Sequence, residues 1–301
     1  MQYQDAAIRL RPSAAEAFEA YTALVAANRE QVERLRDVPE PQGDFWARRA
    51  PRFRPGVLDV EELPGLLELA RPDDTWLDIG AGGGRFAIPL SRHVRRMVAV
   101  EPSPAMRGML EESIATAGRD NLDVVDLRWP PEDDAEAPHG DVALVANVLY
   151  DCLVLREFLA TLEAHAARLC VVIASDRAPS TPDAAVWEAL HGEPLCPLPG
   201  LPEFVAVLGA MKRRYEVRAF GMSSAPAPMT PDDALADSRW RYWVEPGSPA
   251  DARLRGLLVE RFGLPDGSVQ LPPRRNYSAV VSWSRRPNAP NRRSPPGRPR
   301  P

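Results

Sequence analysis

One stretch, Thr75–Leu90, constrains the fold more than any other part of the chain, and its sequence is TWLDIGAGGGRFAIPL. It begins with a short apolar run, Trp76–Ile79, whose length is typical of a buried strand. Four glycines follow within Gly80–Gly84, and Arg85–Ser91 then has the character of the first turns of a helix. We expect a strand that turns through glycines into a helix N-terminus, where backbone N–H groups are open to a ligand.

Two classes of nucleotide ligand fit this glycine turn. Dinucleotides are bound by the pattern G-x-G-x-x-G/A, which Gly82–Ala87 satisfies. The overlapping stretch Asp78–Gly84 spells D-x-G-x-G-x-G and resembles the first motif of the class I S-adenosylmethionine-dependent methyltransferases. The carboxylate of Asp78 favours the second class, because it repels an anionic pyrophosphate but suits the ammonium and sulfonium of S-adenosylmethionine. A glycine turn that binds nothing is disfavoured, because such glycines weaken a strand–helix junction.

Downstream of the glycine turn, short apolar runs alternate with amphipathic segments. The runs predict strands at Met97–Val100, Leu122–Val125, Asp141–Ala146 and Arg168–Ala174, and the periodic segments predict helices at Pro104–Ala117 and Val154–Ala167. This alternation is typical of a parallel sheet with helices on both faces. Two later strands, Tyr215–Phe220 and Tyr277–Ser284, extend it to seven strands, which makes a Rossmann-like, doubly wound α/β fold. The resemblance implies that the last strand inserts antiparallel beside the fifth.

The flanking segments suggest a division of the chain into three parts. Residues 1–59 are predicted to be a helical extension, because Ser13 and Glu16 form a capping-box pattern ahead of a periodic segment. The aromatic pair Phe45 and Trp46 near its end indicates either a lid over the ligand site or simple packing of a linker. Residues 60–284 form the predicted methyltransferase domain, with insertions at 177–202 and 221–276. Residues 285–301 are predicted to be a disordered basic tail.

The candidate cofactor site consists of polar residues at the carboxyl ends of the predicted strands. Glu101 ends the second strand, and an acid there can accept both ribose hydroxyls of an adenosyl group; a helix N-terminal carboxylate is the alternative explanation. The resemblance implies an adenine contact at Asp126 and Leu127 and a position facing the sulfonium at Asn147. The full set of predicted cofactor-binding residues is Asp78, Gly80, Ala81, Gly82, Gly84, Glu101, Pro102, Asp126, Leu127 and Asn147.

The acceptor side of the site is less well marked. Amine methyltransferases of the wider class carry Asn-Pro-Pro-Tyr or a similar motif, whereas Asn147–Tyr150 lacks the prolines, which disfavours DNA or glutamine-amide substrates. The candidate substrate-pocket residues are Phe45, Trp46, Tyr150 and His191. Because holding the acceptor in line supplies most of the rate of methyl transfer, no residue is assigned as a general base.

Composition restricts the partners and the compartment. The net charge of −5 would be −11 without the six arginines of the last seventeen residues, so an acidic body argues against nucleic acid as the main partner. The three cysteines and four histidines show neither a disulfide framework nor metal-ligand spacing, and no apolar run approaches the length of a membrane span. We therefore expect a cytoplasmic enzyme that uses S-adenosylmethionine, a small-molecule acceptor and no metal.

Three alternatives remain open from the sequence. A nicotinamide-dependent oxidoreductase would use the pattern in Gly82–Ala87, and a non-catalytic S-adenosylmethionine-binding module would keep the fold without turnover. A nucleic-acid methyltransferase rests on the arginine-rich tail alone.

Overall fold

A mixed sheet of seven strands forms the centre of the computed structural model, which describes residues 12–38, 43–47, 50–56, 60–221 and 225–284. The strands are β1 (Thr75–Ile79), β2 (Arg96–Val100), β3 (Leu122–Val125), β4 (Gly140–Ala146), β5 (Ala166–Ser175), β6 (Tyr215–Phe220) and β7 (Ser278–Trp283). Their order is β3-β2-β1-β4-β5-β7-β6. The first five are parallel, and β7 runs antiparallel between β5 and β6. The predicted seven-stranded sheet and its antiparallel insertion are confirmed.

The described residues form nine α-helices, five of which begin at a residue whose side chain caps the helix. They are α1 (Ala14–Leu35), α2 (Leu63–Leu69), α3 (Ala87–Leu90), α4 (Pro104–Ala117), α5 (Leu155–His165), α6 (Ala184–His191), α7 (Leu201–Ala210), α8 (Pro231–Tyr242) and α9 (Pro249–Phe262). Ser13 and Glu16 form the predicted capping box at α1, and the hydroxyl of Ser103 accepts a hydrogen bond from the N–H of Met106 in α4. Such caps satisfy N–H groups that have no partner inside the helix.

The helix after the glycine turn starts later than the sequence suggests. The prediction places it from Arg85, whereas α3 begins at Ala87 and residues 82–86 are turn. Gly84, with φ of +91°, cannot belong to the helix, and Pro89 has no N–H to donate to the carbonyl of Arg85. The N–H of Ile88 does donate to the carbonyl of Gly84 at 3.0 Å, but consecutive helical hydrogen bonds begin only with the one from Leu90 to Phe86. The turn therefore keeps its N–H groups outside the helix for two more residues.

Helices cover both faces of the sheet, as the doubly wound prediction requires. Alternate residues of β1 point to opposite faces. Leu77 and Ile79 belong to a core cluster with residues of α1, α5 and α7. Trp76 belongs to the opposite cluster, with residues of α2, α3 and α4. Because Asp78 is two residues from Trp76, it lies on the α2/α3 face.

A third hydrophobic cluster lies outside the sheet. It joins α6, α8 and α9 with Val32 of α1, and it contains most of the apolar residues of the predicted insertions. The basic tail predicted for 285–301 lies outside the described residues. Within the described ranges, none of the helices combines the length and the apolar character needed to cross a bilayer.

Candidate active site

The glycine turn at the end of β1 is hydrogen-bonded to the end of β2 and is open on one side. The N–H groups of Gly80 and Ala81 donate to the carbonyl of Val100 at 2.8 and 3.2 Å. At Gly82, a Cβ would have only the sulfur of Met106 within 4 Å, at 3.9 Å. The turn therefore presents backbone at Gly82 with space in front of it, as a bound ligand requires.

Glu101 connects the end of β2 to this turn. It is 6% exposed, and its carboxylate accepts the N–H of Gly82 at 2.8 Å and the N–H of Ser103 at 2.9 Å. Burial raises the pKa of Glu101, although these two hydrogen bonds oppose the shift. A carboxylate has about four acceptor positions, so two remain after these bonds. Pro102, between Glu101 and the helix cap, fixes the backbone at this point.

Asp78 lies beneath the turn and is almost fully buried, with 1% of its surface exposed. Burial and the charge of Glu101 raise the pKa of Asp78 to about 7, against the opposing effects of Arg85 and a hydrogen bond from the N–H of Ala87. One carboxylate oxygen, Oδ1, has no hydrogen-bond partner among the described residues. A buried carboxylate with an unsatisfied oxygen favours a cationic or donor group nearby.

The end of β3 is linked to the end of β2 by an arginine that sequence reasoning missed. Arg107 in α4 donates to the carbonyl of Glu101 at 3.0 Å and to the carboxylate of Asp126 at 2.6 Å. Asp126 is exposed, whereas Leu127 packs partly buried against the core cluster of the α1 face. One oxygen of Asp126 is thus engaged by Arg107, and the predicted adenine contact stays a prediction.

Asn147 and Tyr150 join the ends of β4 and β5. Asn147 has φ of +58°, and its side-chain oxygen accepts the hydroxyl of Tyr150 at 3.0 Å. The same hydroxyl accepts the N–H of Ser175 at 2.8 Å. Burial raises the pKa of Tyr150, so its hydroxyl stays protonated and serves to orient Asn147. Val148 borders the glycine turn, because a Cβ on Gly80 would lie 2.6 Å from one of its methyl groups.

The N-terminal segment docks against the same end of the sheet through Asp44, a residue that the sequence reasoning did not select. Its carboxylate accepts the hydroxyl of Ser103 at 2.7 Å and the N–H of Ala105 at 3.0 Å, so it caps α4 from another part of the chain. Further along the segment, a Cβ on Gly83 would lie 2.5 Å from the carbonyl oxygen of Phe53. Only glycine allows this close approach of the segment to the turn.

Two of the predicted pocket aromatics follow Asp44 directly. The ring of Phe45 lies 6.4 Å from that of Trp243 and 5.1 Å from that of Trp46, measured between centroids. Trp46 is 38% exposed and also packs edge-on against Phe53. The two aromatics are therefore part of the docked segment, and whether they also contact a substrate stays a prediction.

His191 lies apart from these residues, beside Trp187 of the third hydrophobic cluster. Its ring is 4.2 Å from that of Trp187, and its Nε2 is 3.2 Å from the carbonyl oxygen of Tyr242. Burial lowers the pKa of His191. The contacts described for it belong to the packing of α6 against α8, and none of them involves the glycine turn.

A buried ion pair near the turn was also not predicted from the sequence. Glu62 is completely buried and lies 3.0 Å from the guanidinium of Arg275, just before β7. The sequence contains no signal for it, because the two residues come from opposite ends of the domain. The charge of Glu62 also acts on Arg85, whose pKa is lowered by burial.

Comparison with known proteins points to the same part of the chain. Residues 45–176 match a family model described as a methyltransferase domain. A search of curated proteins finds no match.

Three solved structures illustrate the similarity of fold. One is a methyltransferase from Thiobacillus denitrificans in complex with S-adenosyl-L-homocysteine, at 14% identity and TM-score 0.47, covering 79% of this chain and 96% of that one. The magnesium protoporphyrin IX methyltransferase of Synechocystis, with bound S-adenosylhomocysteine, has 13% identity and TM-score 0.45, covering 89% and 98%. Coclaurine N-methyltransferase, bound to N-methylheliamine and S-adenosylhomocysteine, has 13% identity and TM-score 0.44, covering 88% of each chain.

Proposed function

We propose that the chain is a class I S-adenosylmethionine-dependent methyltransferase that methylates a small molecule at the carboxyl edge of its sheet. The match of residues 45–176 to a methyltransferase domain and the strand order support this proposal. The observation that carries the proposal is the open glycine turn at Gly82, held by the buried carboxylate of Glu101.

The residues at this edge fit the cofactor in chemical type. The two remaining acceptor positions of Glu101 suit the ribose hydroxyls, and the unsatisfied oxygen of Asp78 suits a cationic group. Asp126 and Leu127 would contact the adenine, and Asn147 would face the methionine portion. The cofactor supplies an electrophilic methyl group on its sulfonium. The residues of this chain bind and orient, because in-line displacement depends mainly on position.

The surroundings of the site support a small acceptor. Asp44 and Phe53 of the N-terminal segment contact the start of α4 and the glycine turn from one side, and the acidic body of the chain would repel a nucleic acid. We assign no general base, because the hydroxyl of Tyr150 is committed to Asn147 and Ser175. The three free cysteines fit a reducing compartment, and we place the enzyme in the cytoplasm.

A single neutralising substitution tests the assignment of Glu101. Glu101→Gln should weaken S-adenosylhomocysteine binding about 10- to 100-fold, because a charged acceptor is replaced by an amide that also carries donors. Isothermal calorimetry gives the affinity, and urea denaturation shows whether the variant is folded. Glu111→Gln, on the exposed face of α4, is the matched control and should bind as the wild type does. Equal affinities of all three proteins would contradict the assignment.

A further inference from the structure

Asp44 in the N-terminal segment is joined to the open glycine turn by a series of three hydrogen bonds. One oxygen of its carboxylate, Oδ2, accepts the hydroxyl of Ser103 at 2.7 Å. The N–H of Ser103 donates to Oε1 of Glu101 at 2.9 Å. The other oxygen of Glu101, Oε2, accepts the N–H of Gly82 at 2.8 Å. The series therefore connects a residue of the linker to the carboxylate that is assigned to the ribose.

The first turn of α4 depends on Asp44 for part of its cap. Pro104, the first residue of the helix, has no N–H, so the first N–H groups that need partners belong to Ala105 and Met106. The hydroxyl of Ser103 accepts the N–H of Met106 at 3.2 Å. Oδ2 of Asp44 accepts the N–H of Ala105 at 3.0 Å. Asp44 thus holds both the hydroxyl of Ser103 and the backbone that follows it.

The orientation of the Glu101 carboxylate depends on the same backbone. Glu101 and Ser103 are each 6% exposed, so solvent does not readily replace a lost hydrogen bond between them. Among the described residues, the carboxylate of Glu101 accepts hydrogen bonds only from the N–H groups of Gly82 and Ser103. A shift of Ser103 would therefore turn the carboxylate and move the acceptor positions that remain for a ligand.

The charges around Ser103 make this arrangement sensitive to Asp44. Asp44 lies at the hydroxyl of Ser103 and Glu101 at its N–H, so two carboxylates flank one residue. Arg107, in the next turn of α4, is a cation that acts on both of them. It also donates to the backbone carbonyl of Glu101 at 3.0 Å. Removing the charge of Asp44 would leave Arg107 to act on Glu101 without this competitor.

The segment that carries Asp44 also packs directly on the glycine turn. A Cβ on Gly83 would lie 2.5 Å from the carbonyl oxygen of Phe53. Ala50 and Phe53 belong to a small hydrophobic cluster with Met106, the residue whose sulfur faces Gly82. The position of the segment and the shape of the turn are therefore linked at two places.

We propose that Asp44 is a positioning residue for cofactor binding, which aligns Ser103 so that Glu101 presents its free acceptor positions to the ribose. Asp44 acts through these two residues and does not itself contact the cofactor. The proposal rests on the role of Glu101 in the proposed function and adds a residue on which that role depends.

A double-mutant cycle on the full chain tests whether Asp44 acts through Glu101, with S-adenosylhomocysteine affinity measured by calorimetry. Asp44→Ala should weaken binding about fivefold, and Asp44→Asn, which keeps one acceptor oxygen, should weaken it less. In the Glu101→Gln background, Asp44→Ala should cause no further loss, because coupled residues are not additive. Thr230→Ala removes the N-cap hydroxyl of α8 and is the matched control, with unchanged affinity.

A second ligand shows whether the effect passes through the ribose. The wild type should prefer S-adenosylhomocysteine to its 2′-deoxy analogue about tenfold, because the analogue lacks a hydroxyl that Glu101 accepts. Asp44→Ala should reduce this preference to about twofold, whereas a general loss of stability would weaken both ligands equally. Urea denaturation shows that each variant is folded, and Asp44→Asn replaces Asp44→Ala in the cycle if the alanine variant is not.

The outcomes separate this proposal from the proposed function. Wild-type affinity in Asp44→Ala, additive losses in the double variant, or an unchanged preference between the two ligands would each overturn the role of Asp44. In all three cases the cofactor assignment stands. If the wild type does not bind S-adenosylhomocysteine, the proposed function itself is wrong.

Discussion

Gly82 and Gly118 have nearly the same backbone conformation, with φ of +56° and +59°, in very different places. Gly118 ends α4, and a Cβ there would have nothing within 4 Å, whereas Gly82 faces the candidate cofactor site. Comparing substitutions at these two positions therefore distinguishes the conformational role of a glycine from its role in binding.

We predict that Gly82→Ala and Gly118→Ala each lower the free energy of unfolding by about 1 kcal/mol, because both force alanine into the left-handed region. Only Gly82→Ala should also lose S-adenosylhomocysteine affinity, since its methyl group occupies the open side of the turn. Urea denaturation and calorimetry on the same preparations measure both effects. Parallel loss of binding in both variants would show that the effect is one of stability alone.

Asp78 should make the stability of the protein depend on pH. Its folded-state pKa of about 7 lies above the unfolded value of 3.8. The stability that the protonated carboxyl contributes is complete below pH 3.8 and is lost as the pH rises through about 7. Between pH 3.8 and about 7, the free energy of unfolding of the wild type should therefore fall relative to that of Asp78→Asn. The expected fall is about 1.4 kcal/mol for each pH unit. Equal pH profiles for the two proteins would contradict a raised pKa of the buried Asp78 carboxyl group.

Binding of a cationic cofactor should favour the ionised form of the same carboxyl. We predict that the affinity for S-adenosylmethionine rises with pH across the titration of Asp78 and that the rise is smaller in Asp78→Asn. S-adenosylhomocysteine, which has no sulfonium, should show a weaker dependence. Calorimetry at a series of pH values measures all three slopes, and a slope unaffected by the substitution would remove Asp78 from the site.

At the scale of elements, α4 is capped twice, once by its own Ser103 and once by Asp44 from the N-terminal segment. Because Asp44 makes two hydrogen bonds to the start of α4, we expect it to hold the segment against the glycine turn. Asp44→Ala should cost about 1 kcal/mol and speed hydrogen exchange in the described residues between 43 and 56. Asp133→Ala removes a comparable cap, from Ala135, and should leave that exchange unchanged. Slow exchange in both variants would mean that other contacts hold the segment.

Local signals made most elements predictable from the sequence. The bounds of α4 and β3 agree with the prediction residue for residue, because α4 begins at a capping residue and β3 is a short apolar run. The antiparallel β7 came from the resemblance, since periodicity contains no information on strand order. The glycine turn and Glu101 were found through spacing, and they meet in the structure as expected from that spacing.

The parts that the sequence did not reveal depend on distant contacts. Asp44 reaches Ser103, Glu62 reaches Arg275, and Arg107 bridges two strand ends. The local sequence around a carboxylate in a linker does not indicate which distant helix the carboxylate will cap. The late start of α3 has a local cause, because Pro89 has no N–H to donate to the carbonyl of Arg85.

At the scale of the whole molecule, two hydrophobic clusters build the sheet and its helices, and a third joins α1 to the insertions after β5. The common core thus fixes the cofactor edge, while the third cluster packs the insertions outside that core. This division explains why the sequence identified the cofactor more readily than the acceptor.

The central claim is that the buried carboxylate of Asp78, beside the glycine turn, selects a cationic adenosyl ligand over an anionic dinucleotide. Calorimetric titration of the full chain with S-adenosylmethionine and, separately, with NADH tests it most directly. We predict saturable, micromolar binding of S-adenosylmethionine and no measurable binding of NADH. Saturable NADH binding without S-adenosylmethionine binding would contradict it.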